Sequence, residues 1–103
     1  MKVSRIIRIG GYDYRIEVMP KLYAKRGIEG LHSSVERLIG IDKDESAANR
    51  LTILLHELLE ALSVIYCAGG ISHVHIEAMA EGLNQVLPQL GLKLEWEDLE
   101  DVR

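Results

Sequence analysis

Residues 51–66, LTILLHELLEALSVIY, form the most apolar stretch of the chain, yet His56, Glu57 and Glu60 stand inside it. The stretch is too short and too polar to cross a bilayer, which takes roughly 20 apolar residues. It has to fold as a helix against a protein core. Leaving ionisable groups unpartnered there costs on the order of several kcal/mol. Those three side chains therefore need one another, solvent or a metal ion.

At about 100° per residue, Asn49, Thr52, His56, Glu60 and Ser63 all fall within roughly 40° of the direction of His56. From residue 51 onwards the rest of the circumference is Leu, Ile, Val, Ala and Tyr, apart from Glu57. A narrow polar line on an apolar cylinder inverts the usual surface-helix pattern. It predicts a central, buried helix whose polar line faces a cleft.

The pattern around this helix gives the layout. VSRIIRIGGYDYRIEVM reads as a β-hairpin turned at Gly10-Gly11, with Tyr14, Ile16 and Val18 alternating with Arg15 and Glu17. Pro20 ends it. KLYAKRGIEGLHSS has no clean period and reads as irregular or partly helical. VERLIGID reads as a third strand, stopped at Asp42, Asp44 and Glu45. Asp44 or Ser46 caps a helix running to about Cys67, where Gly69-Gly70 stops it. Ser72 caps a second helix to about Leu87, ended or kinked by Pro88. The expectation is one α+β domain over residues 1–103, a short antiparallel sheet of about three strands packed on two long helices. Strands and loop occupy 1–43, the helix pair 44–88 and an acidic tail 89–103.

Composition narrows the function classes. The chain is 48% apolar and 27% charged, a globular balance, with a net charge of −4 and no basic stripe. Binding nucleic acid through phosphate neutralisation is disfavoured. The one cysteine, Cys67, cannot form an internal disulfide, and no apolar segment follows MKVSR. A cytoplasmic protein, off the membrane, is the expectation. The last nine residues, EWEDLEDVR, hold five acids against one Arg. Trp96 among those charges suits a partner surface better than a core, with a frayed, solvated terminus as the plainer expectation.

His56 and Glu60 are four apart, so their Cβ atoms lie about 5–6 Å from each other and can converge on one cation. Glu57 lies about 100° round, beside such an ion rather than on it. A catalytic zinc takes three protein ligands and lowers the pKa of its water to about 7, and a neighbouring carboxylate can accept the proton. The second helix offers His73 and His75, on opposite flanks of an apolar face made by Ile76, Met79, Ala80, Leu83, Val86, Leu87 and Leu90. Spacing alone does not choose between them. Glu77 points further towards solvent. Without metal, His56, Glu60 and His73 form a hydrogen-bonded network instead.

The run Arg50 to Leu87, RLTILLHELLEALSVIYCAGGISHVHIEAMAEGLNQVL, resembles small zincin-like metallopeptidases encoded by phages and related mobile elements. TILLHELLEAL and ISHVHIEAMAEGLNQVL match the two helical blocks of that group, and ERLIGID matches the preceding strand. Two positions depart from it: Glu60 stands where the second histidine of H-E-x-x-H is usual, and His73 where an acid opens the second helix. Together they look like a compensated exchange that keeps two histidines and one carboxylate. The resemblance implies zinc on His56, Glu60 and His73, with Glu57 as the general base. It further implies that ERLIGID is the edge strand of the cleft, holding an extended peptide by main-chain pairing. For stabilising the oxyanion, His75 and His32 come first and Tyr23 and Tyr66 second.

The function implied is peptide hydrolysis by a metal-activated water, on a peptide or protein substrate in a bacterium carrying such an element. A chain this small has little room for specificity pockets, which leaves their completion to a partner protein or a dimer. The alternative is a non-catalytic, regulatory module on the same fold, with the tail and Trp96 as its contact.

Overall fold

The computed structural model describes residues 1–100, apart from the side chains of Asp98 and Glu100. β1 (Ile6–Ile9) and β2 (Tyr12–Met19) form the expected hairpin, with Gly10 and Gly11 at φ 62° and 118° in the turn. The segment expected to be irregular or partly helical holds a short helix, α1 (Leu22–Arg26), and also a strand, β3 (Gly30–Ser33). β4 (Leu38–Asp42) follows, then the long helices α2 (Ala47–Cys67) and α3 (His73–Gln89), and a last turn, α4 (Glu97–Glu100).

The sheet has four strands in the order β1-β2-β4-β3. β4 runs parallel to β2 and antiparallel to β3, so the sheet is mixed, with one strand more than expected. β3 was hidden because GLHS is only four residues long and carries neither alternation nor a β-branched side chain. Its discovery moves β4 inside: ERLIGID is not an edge strand, since both its edges are paired. All five residues of β4 are buried, as a central strand covered on both faces requires. The edge next to the helices belongs to β3.

Tyr14, Ile16, Val18, Ile39 and Ile41 share one face of the sheet and form the core with Ile53, Leu54 and Ala61 of α2. Gly30 lies on the same face. A Cβ there would collide with the Ile53 side chain and crowd Glu57, so a glycine lets α2 settle close on β3. Ser46 caps α2 by accepting the Asn49 amide, and Ser72 caps α3 by accepting that of His75. α3 continues through Pro88 to Gln89, past the predicted stop.

α2 is not the fully enclosed helix its composition predicted. It packs on the sheet and on α3, while Leu62, Val64 and Tyr66 stay exposed. On α3 only Ile76 and Ala80 of the predicted apolar face are buried; Met79, Val86 and Leu90 face solvent. No helix among the described residues is long and apolar enough to cross a membrane.

The tail also departs from expectation. Trp96 is 5% exposed, inside the core with Val3 and Leu99, and the Arg50 guanidinium lies 5.5 Å from its ring centroid. Glu95 anchors the approach: its amide donates to the Met1 carbonyl at 2.8 Å, and its carbonyl accepts from Val3 at 3.0 Å. Trp96 is therefore neither a partner contact nor part of a frayed end, because the returning chain covers the open end of the hairpin. Residues 101–103 and the side chains of Asp98 and Glu100 lie outside the described residues, and with them most of the predicted acidic patch. Replacing Trp96 by alanine is expected to cost about 3–5 kcal/mol, read by urea denaturation. A loss below about 1 kcal/mol would mean that the tail does not close the core.

Candidate metal centre

Packing α2 on the sheet turns its polar line towards α3 and the edge of β3. Asn49 donates to Glu45 at 3.0 Å, near the start of the helix. At its far end, the buried Ser63 hydroxyl accepts the Ile71 amide at 3.1 Å, and the Ser63 carbonyl accepts from Gly69 at 2.8 Å. These bonds tighten the turn between α2 and α3 and set where α3 begins. His73, its first residue, is brought back over Glu60.

His56, Glu60 and His73 meet there, with one potential ligand atom from each all within 4.8 Å of one another. Glu60 Oε2 stands 3.1 Å from His73 Nδ1 and 3.5 Å from His56 Nε2. The two imidazole centroids are 4.8 Å apart, with the rings inclined at 63°. Ligand atoms about 2.0–2.1 Å from a tetrahedral zinc lie about 3.4 Å from each other. The two Glu60 distances bracket that value and the whole set lies within 4.8 Å, so the two imidazoles and one carboxylate form a group that could hold a metal ion. His56 and Glu60 are mostly covered, with side chains 19% and 29% exposed, whereas that of His73 is 64% exposed. The cluster opens to solvent on the side of α3.

His75, left open against His73 by spacing, is exposed on the other flank and takes no part in this group. Glu77 points to solvent as expected, its side chain 61% exposed. Its Oε2 lies 3.6 Å from His73 Nε2, one helical turn along. At that distance, between side chains 64% and 61% exposed, the carboxylate stands near the far nitrogen without a hydrogen bond to it. The His73–Glu77 spacing of four was the signal for this proximity.

Glu57 lies beside the cluster, against Gly30 of β3. Burial pushes its carboxyl up to about 7, the Glu60 charge adds to this, and His73 pulls the other way. His56 and Glu57 both line a cleft of about 450 Å³ between α2, α3 and the segment leading into β3. Tyr23, Thr52, Glu29 and Glu77 also line it. Burial raises the Glu29 pKa, and the nearby Glu45 and Asp42 raise it further.

His32, the second residue after Gly30 and on the same face of β3, is held by Tyr14. The Tyr14 hydroxyl and His32 Nε2 are 3.0 Å apart, and the rings stack with centroids 5.6 Å apart. Burial lowers the His32 pKa and the Glu60 charge raises it, with burial the larger effect. Tyr66 lies away from the cleft, exposed near the Gly10 turn.

No protein-family model, curated protein or solved structure matches the chain at a significant level. A reading of this site rests on its own geometry and chemistry.

The His32 shift gives a test of the local packing. Its folded pKa lies below the unfolded value of about 6.5, so the unfolded chain takes the proton first as pH falls. The stabilisation from the neutral ring is complete above pH 6.5 or so and is lost as pH falls through the lowered folded value. The stability advantage of the parent over His32→Gln should shrink between about pH 7.5 and pH 5 in urea melts. An advantage that grows on acidification would mean the ring is charged in the fold.

Proposed function

We propose that this protein is a zinc-dependent peptidase of the cytoplasm, of the zincin-like kind carried by phages and related mobile elements. One observation carries the reading: His56, Glu60 and His73 converge, and His56 and Glu57 line a cleft that reaches Gly30, the first residue of the edge strand β3. Two imidazoles and one carboxylate leave a fourth, open position, as catalytic rather than structural zinc sites do.

Zinc in that position supplies a Lewis acid and lowers the pKa of water to about 7. The chain's own groups do the rest. Glu57 accepts the proton of the attacking water at its carboxylate and passes it to the amine nitrogen as the C–N bond of the peptide breaks. The unpaired edge of β3 binds the substrate as an added strand, main chain to main chain. This role passes to β3 from the strand that the resemblance had named. Among the residues lining the cleft are Glu29, Glu57, Glu77 and Glu81 and no Lys or Arg, a bias towards substrates with basic side chains.

A metal-free hydrogen-bonded network is the second reading, favoured by the direct contact between Glu60 and His73. A non-catalytic binding module loses the contact that sequence offered for it, since Trp96 is in the core.

Metal analysis by mass spectrometry, on protein purified without a metal-affinity tag, separates the two. About one zinc per chain is expected in the parent and almost none in the His56→Ala/His73→Ala variant. A parent that neither carries nor takes up zinc would leave the network reading. Glu57→Gln should keep the metal and lose about 10²- to 10⁴-fold in cleavage rate on a substrate taken from a library of basic peptides. Cleavage at the parental rate would remove Glu57 from the mechanism.

A further inference from the structure

A second cavity, of about 620 Å³, lies between the start of β1, the second half of β2, α1 and Leu99, and no residue of the metal cluster lines it. Its volume falls in the range of small-molecule sites, about 300–1,000 Å³. Met19, Leu22 and Leu99 give it an apolar wall, the two leucines each only 3% exposed. Around that wall stand Arg5, Arg15, Lys21, Lys25 and Arg26. Five of the twelve Lys and Arg residues of a net-acidic chain therefore border one cavity. The cleft beside the metal cluster is lined by none of them.

Among the described residues the one acid in the lining, Glu17, is engaged by Arg15 at 2.7 Å. Lys21, Lys25 and Arg26 have no ion-pair partner among the described residues. The backbone that carries them is anchored. Leu22 plugs α1 into the fold, and the Tyr23 amide donates to the buried Asp42 carboxylate at 3.2 Å. Helix chemistry accounts for Lys25 and Arg26, which sit in the last turn of α1 where cations are favoured. It does not account for Lys21, which caps the opposite end in a left-handed conformation, φ 57°. Acids are favoured at that end. What the three cations share is the cavity.

We propose that this cavity binds a small organic anion with an apolar body, an alkyl or aryl carboxylate. Its carboxylate sits among Lys21, Lys25 and Arg26 and its body lies on Met19, Leu22 and Leu99. Neither feature suffices alone. The apolar wall without the cations would take any greasy molecule, and the cations without the wall would hold an anion only as loosely as exposed, screened charges do. The inference is independent of the metal reading, since the two sites share no residue.

The test is calorimetric titration of the full chain with dodecanoate below its micelle concentration, beside dodecyltrimethylammonium and acetate. One dodecanoate per chain is expected, with the cationic amphiphile at least ten-fold weaker and no measurable heat from acetate. The titration is run with a chelator and again after zinc loading, and the affinity should be the same, because a carboxylate drawn to zinc would bind only the loaded form. Lys25→Glu/Arg26→Glu should bind at least ten-fold more weakly with an unchanged circular dichroism spectrum. Lys25→Gln/Arg26→Gln, which reverses no charge, should lie between that variant and the parent. Backbone amide shifts on adding dodecanoate should concentrate at residues 16–26 rather than 52–60. Equal binding of the two amphiphiles, undiminished binding by both variants, or absence of dodecanoate binding to the parent would each overturn the proposal.

Discussion

Ile53, Leu54 and Ala61 are buried against the sheet, and their packing fixes the rotation of α2 about its own axis, on which the rest of the molecule depends. A helix can lie on a sheet in many rotations; burying this particular stripe admits one. The polar line from Asn49 to Ser63 then has to face α3 and β3. Glycines serve the same contact at both ends. Gly30 lets Ile53 and Glu57 approach β3, and Gly10, at φ 62°, leaves room for Ile65 over the hairpin turn. A side chain at either position would push α2 off the sheet and swing its polar groups out of line.

Once α2 is set, Glu60 becomes the pivot of the site. Its carboxylate faces imidazoles from two helices, and the Ser63 contacts with Gly69 and Ile71 decide that the second imidazole is His73. The desolvation that such a group suffers needs compensation by opposite charge or hydrogen bonds. Two partners on neighbouring helices supply it, which ties the geometry of the site to the packing of the helix pair. Glu57, one residue from His56, meets the opposite electrostatics: it is half-buried, with Glu60 nearby and only His73 to offset them. Adjacent residues thus occupy two environments, one gathering donors and the other isolating a carboxyl.

Charge is segregated over the surface in the same way. The cleft beside the metal cluster is lined by glutamates and the cavity beside α1 by lysines and arginines, although the chain as a whole is only mildly acidic. Net charge of −4 conceals this because opposite signs cancel in the sum. What a cavity recognises is the local field, which low-dielectric walls focus.

The two long helices, the Ser72 cap, the hairpin at Gly10-Gly11 and the line joining His56 to Glu60 were legible in sequence, because each depends on local periodicity or on a capping or turn residue; the choice of Ser46 over Asp44 as the other cap was not. So was the eligibility of His73. Spacing left it level with His75 and the resemblance favoured it; the path of the chain from Ser63 to Ile71 is what brings it to Glu60. β3 was illegible because four residues without a strand pattern become a strand only when β4 offers them hydrogen bonds. Trp96 looked like surface because its sequence neighbours are acids, and it is core because the N-terminal strand leaves an apolar gap that the returning chain fills. Sequence alone determined which groups lie on a common helix face, a matter of 3.6-residue geometry. Tertiary structure alone decided which faces meet, because burial is shared between segments far apart in the chain and no local pattern records the partner.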